Sequence, residues 1–120
     1  MTFNAKLSLY ITRILNPIYL SSNRRPITET LLQVFHKKNI GHIERVDVVP
    51  IKGCQIYSQS FIHFNHWYCT QEAFTLQKNI IDNDNNKYML GTKFIYDNPH
   101  YWIIRPNTYR WARKKDQSIL

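Results

Sequence analysis

The chain is poor in the residues that usually mark an enzyme or a secreted scaffold. Only two cysteines, Cys54 and Cys69, occur in 120 residues, and they form no C-x-x-C pair. That argues against a disulfide framework or a cysteine zinc module, and the two are read as free thiols in a reducing, intracellular compartment. With three glycines in all, there is no Gly-rich phosphate loop, and no nucleophile elbow or paired-carboxylate motif is present. The acids Glu29, Glu44, Asp47, Glu72 and Asp97 are scattered along the chain. The reading is therefore of a non-enzyme with no cofactor and no metal, a small nuclease working with His or Asp being the minor alternative. No stretch of 18 apolar residues suggests a membrane span, and Lys6 and Arg13 interrupt the partly apolar N-terminus, which argues against a signal peptide. Internal repeats and low-complexity tracts are lacking too.

Acidic residues are scarce as a class. Sixteen Lys and Arg stand against eight Asp and Glu, for a net charge of +8 and a pI near 9.7. This balance suits an anionic partner, nucleic acid before an acidic membrane surface. Apolar residues at 43% suffice for one compact core, and the length suits one domain.

Periodicity supplies the elements. Residues 7–15 alternate, Leu7, Leu9 and Ile11 on one side and Ser8, Tyr10 and Thr12 on the other, which predicts a first strand with an aromatic on its open face. Residues 16–26, with two prolines and Arg24-Arg25, read as a long loop. Thr28 is placed to cap a helix with Leu31, Leu32, Val34 and Phe35 on its apolar side, and Gly41 to end it in a left-handed conformation. Residues 43–49 form a second strand, closed by a basic turn around Lys52. In residues 55–67, Ile62 and Phe64 face one way while Tyr57, Gln59, Phe61 and His63 face the other, a third strand with a largely aromatic open face. Thr70 caps a second helix with Ala73, Leu76, Ile80 and Ile81 in one stripe, and a fourth strand at 94–96 follows Gly91. Residues 101–104 (YWII) read as a further strand, placed at the sheet edge rather than over its face. A basic tail with Arg105, Arg110, Arg113, Lys114 and Lys115 comes last.

The order strand, helix, strand, strand, helix, strand is the split βαβ pattern of the α+β, ferredoxin-like superfold: a four-stranded antiparallel sheet with two helices on one face, here with a C-terminal extension. The expected organisation is a domain over residues 1–97, with an aromatic and basic extension over 98–120 packed on or near it. Such a fold leaves one sheet face open, and function must be sought in the residues upon it.

Those residues resemble the RNA recognition motif family. Its six-residue signature on the first strand is aliphatic, aromatic, aliphatic, any, Asn, Leu. Leu9-Tyr10-Ile11-Thr12-Arg13-Ile14 matches the first three positions and keeps an aliphatic at the last. The eight-residue signature of the third strand falls on residues 57–64, where Ser60, Phe61, Ile62 and Phe64 match and Tyr57, Ser58 and Gln59 depart from it. Gly41-His42-Ile43 and Gly91 also sit where the family has them, so the likeness covers about residues 7–96. The chain further resembles small proteins of this type from nucleocytoplasmic large DNA viruses, on the Tyr-Asp-Asn-Pro-His-Tyr-Trp stretch after the fourth strand, which implies the host cytoplasm or nucleus, or the virion, as its location.

The resemblance implies single-stranded RNA as partner, with single-stranded DNA as second choice. Tyr10 and Phe61 would stack bases, and Gln59, in place of the third family aromatic, would bond a base edge next to Tyr57. Arg13, Arg45, Lys52 and Lys93 are candidates for phosphate contacts, with Arg105 opening a basic clamp. Trp67, Tyr101 and Trp102 are read as packing residues. His63 is read as a surface residue, and since His63 and His66 are three apart on a strand they should point to opposite sides rather than share a metal. The competing class is a protein-interaction module, a homodimer or partner-docking surface using the same aromatic face.

Overall fold

A computed structural model describes residues 3–16 and 26–107. The elements are β1 (Leu9–Leu15), α1 (Ile27–Lys37), β2 (Gly41–Pro50), β3 (Tyr57–Trp67), α2 (Gln71–Asp84), β4 (Thr92–Asp97) and β5 (His100–Pro106). Among the described residues the fold is α+β, with two helices and one antiparallel sheet. That sheet has five strands rather than four, in the order β2-β3-β1-β5-β4. Arg24-Arg25 and the tail cations from Arg110 onward lie outside the described residues.

Strand periodicity translates directly into layers. Leu9, Ile11 and Ile14 of β1, Ile62 of β3, and Trp102 and Ile104 of β5 are buried, together with Leu31 and Phe35 of α1 and Ala73, Leu76 and Ile80 of α2. This helix-facing layer is the core. Phe35 is fully buried and touches both halves of the sheet, its ring 5.7 Å from Phe64 and 5.3 Å from Phe94. Removing this apolar area from water is the main favourable term in folding.

The strand at 100–106 joins the sheet rather than crossing its face, but it is an inner strand between β1 and β4 instead of the expected edge. The reason lies in its composition. Its central residues are apolar on both faces, Trp102 and Ile104 toward the core and Tyr101 and Ile103 outward, whereas β4 carries Lys93 and Asp97, residues suited to an exposed edge. Pro106 is accommodated at the end of the strand, opposite Leu9.

The helix ends also depart from the sequence reading. Pro26, not Thr28, precedes α1 and no side chain caps it, while Thr70 caps α2 by accepting from the Ala73 amide at 3.1 Å. The left-handed residue after α1 is Asn39 (φ 61°), leaving Gly41 to open β2, where a Cβ would come within 2.9 Å of the His66 carbonyl oxygen. The N-terminal arm is fastened to α2 by the buried amide of Gln77, which accepts from the Asn4 amide at 3.0 Å and donates to the Asn4 carbonyl at 2.8 Å. Phe3 adds to this anchor, lying 6.3 Å from Phe74 and 6.1 Å from Trp67.

Candidate functional site

The helices cover one face of the sheet, and the other carries the alternate residues of every strand. Its centre is set by register. Tyr10 of β1 lies opposite Phe61 of β3, and their rings stack at 4.9 Å with planes 15° apart. Both are half-buried. The stacked pair is an offset, nearly parallel arrangement of two flat rings at the centre of this face. Next to Tyr10, β5 presents Arg105, and next to Phe61, β2 presents Asp47.

One step along the strands, Val49 pairs with Gln59 on one side and Ile103 with Lys93 on the other. Gln59 is half-buried on this face, at a position where its amide can reach an edge group. Further along, a register shift in β1 between Ile11 and Ile14 turns Arg13 outward. The Arg13 guanidinium lies 5.8 Å from the Tyr57 ring centre, and Lys93 Nζ lies 4.3 Å from that of Tyr101.

The five cations proposed from sequence are all exposed. Four belong to this face: Arg13, Arg45, Lys93 and Arg105. Arg45 pairs with Asp47 at 3.3 Å and Arg105 with Asp84 at 3.4 Å, both solvent-accessible contacts of the kind an incoming phosphate can replace. Lys52 stands apart, in the turn between β2 and β3, next to Gly53 in the left-handed region (φ 78°).

Two features of the face were not legible in the sequence. Tyr101, read as a packing residue, is 48% exposed, whereas Trp67 and Trp102 are buried as expected. His63, read as a surface residue, has a side chain only 12% exposed and bridges two neighbours. Its Nε2 lies 3.1 Å from Asp47 Oδ2 and its Nδ1 3.4 Å from Ser8 Oγ. The tautomer with a proton on Nε2 satisfies both, donating to the carboxylate and accepting from the hydroxyl. This chain ties the residue just before β1 to β3 and β2 and holds Asp47 beside Phe61.

His66 does not join His63; it pairs with His42, their rings 5.7 Å apart at the far end of β2 and β3. Among the described residues no group of three or more His, Cys, Asp or Glu is placed to hold a metal, and no helix is long and apolar enough to cross a membrane. Cys54 lies beside the face: hydrogen bonds from the backbone of Tyr57 and Ile56, aided by the charge of Arg13, hold its thiol below the ordinary value. No protein-family model, curated protein or solved structure matches the chain.

Proposed function

We propose that the open sheet face binds single-stranded nucleic acid, RNA in the first place, as a variant of the RNA recognition motif arrangement. The observation that carries this reading is the Tyr10–Phe61 pair, stacked at 4.9 Å on adjacent strands of a face that also bears Arg13, Arg45, Lys93 and Arg105. Unpaired bases offer flat π-faces to such rings, and cations around them track the backbone. In the ferredoxin-like reading, β5 takes the place beside β1 and β4 becomes an added edge strand. The residues named by the two signatures, Tyr10 and Phe61, then keep their relation, and Gln59 and Tyr57 extend the surface along β3.

Fluorescence anisotropy with a labelled mixed-sequence RNA 12-mer tests the reading. Binding is expected at low salt and should weaken linearly in log–log form, with a slope of about −0.7 for each phosphate neutralised on a single strand. No measurable binding at low ionic strength would overturn it. A second expectation uses Cys54. Its thiol should be alkylated with a pH midpoint below that of an ordinary free cysteine, because the Tyr57 and Ile56 backbone bonds and Arg13 favour the thiolate. Bound RNA, lying over Tyr57 and Arg13, should slow that alkylation while leaving exposed Cys69 unaffected; equal rates with and without RNA would place the ligand elsewhere.

The competing reading, a homodimer or protein-docking module, is favoured by Ile95 and Tyr101, both about half exposed on the β4–β5 side. Light scattering decides between them: a monomer that binds RNA removes it, and a stable dimer that shields Phe61 supports it.

A further inference from the structure

We infer that Tyr101, on β5, is a base-stacking platform in a second aromatic row of the open face, so that the site holds a single strand crossing both rows rather than a pair of bases. This rests on the nucleic-acid reading above and deepens it, since neither family signature includes β5.

Three observations lead there. First, β5 is an inner strand beside β1, and Tyr101 stands on it with the parity of Arg105, which lies opposite Tyr10. Second, Tyr101 is 48% exposed on a strand whose neighbours Trp102 and Ile104 are buried, so its ring is presented by a rigid core rather than used to build one. Third, Lys93 Nζ sits 4.3 Å from the Tyr101 ring centre, and Arg13 lies over Tyr57 at 5.8 Å on the other side of β1. The face thus repeats ring and cation in a second row, which is the chemistry that holds a base and its phosphate together.

The spacing sets the footprint. Tyr101 lies four residues from Arg105, about 13 Å along a strand that rises about 3.3 Å per residue. That is further than two adjacent nucleotides reach as neighbours in a stack, so a strand touching both rows spans several nucleotides, with its bases lying on protein rings. The bases between the rows pass over Thr12 and Gln59, where the Gln59 amide can read an edge.

The test keeps phosphates constant and varies bases. RNA-length 12-mers carrying a central block of two or of six bases, with abasic units elsewhere, are titrated by anisotropy. Wild-type protein should bind the six-base block about five-fold or more tightly than the two-base block. Tyr101→Ala should abolish that gain and leave the two-base block unchanged, while Tyr101→Phe should retain it. If Tyr101→Ala keeps the gain, the second row is not used. Loss on both blocks alike, shared by Tyr101→Phe, would mean that Tyr101 acts through the fold, which also overturns the inference. Tyr10→Ala with Phe61→Ala separates the two levels: weaker binding of the two-base block upholds the first row whatever Tyr101 does, and unchanged binding overturns both. Failure of the wild-type protein to bind either block overturns both as well.

Discussion

Phe35→Ala should lower the unfolding free energy by about 3–5 kcal/mol, the usual range for truncating a buried phenylalanine. Phe35 is fully buried on α1 and contacts Phe64 of β3 and Phe94 of β4, which lie in the two halves of the sheet. Its removal leaves a void under α1 beside the rings of Phe64 and Phe94, in the middle of the single buried cluster. For a domain holding about 5–15 kcal/mol in total, that is a large fraction of the stability, and the thermal midpoint should fall by about ten degrees or more. Chemical denaturation followed by circular dichroism checks it, and a loss under about 1 kcal/mol would show that Phe35 is not the bridge described. Phe35→Leu, which refills most of the volume, should cost much less.

Substituting both Tyr10 and Phe61 by alanine should weaken RNA binding at least about thirty-fold, because two stacked bases at about 1–3 kcal/mol each are lost. The domain itself should remain folded, since both rings stand on the open face, away from the core. The single substitutions should be strongly non-additive. With the rings 4.9 Å apart and nearly parallel, the two side chains are in direct contact, so removing one changes the packing of the other. Tyr10→Phe preserves the stack and should bind nearly as well as wild type. Anisotropy on the four proteins completes the cycle, and affinity unchanged in the double variant would remove the aromatic pair from the site.

What the sequence revealed and what it concealed follow from how far apart the determinants lie. The alternation of β3 separates Ser58, Ser60 and Ile62 from Tyr57, Gln59 and Phe61 within one short segment, so the two faces could be read locally. The Thr70 cap and the stripe of α2 are local in the same way. Strand order is not. That β5 lies inside β4 depends on which of two short apolar strands better tolerates neighbours on both sides, and this is decided only once β1 is available to pair. The bulges of β1 and β2 were equally invisible, and with them the meeting of Ser8, His63 and Asp47. One signal was available and informative in retrospect. Gln77 sits four residues after Ala73, on the apolar stripe of α2, where a polar side chain implies a buried partner, and that partner is the backbone of Asn4. The exposure of Tyr101 had no such signature, because an aromatic on an inner strand serves core and surface equally well until its parity is fixed by Arg105 opposite Tyr10.

The central claim is that the open sheet face, and not the helical side, meets the nucleic acid. Mapping amide chemical-shift changes on titration with an RNA 12-mer tests it most directly. The expected pattern is a continuous band of shifts over Tyr10, Thr12, Gln59, Phe61 and Arg105, reaching Lys93 and Tyr101, with the outward positions of α1 and α2 silent. Shifts concentrated on Gln33, Lys37, Lys78 and their helical neighbours, with the band on the sheet unmoved, would contradict it.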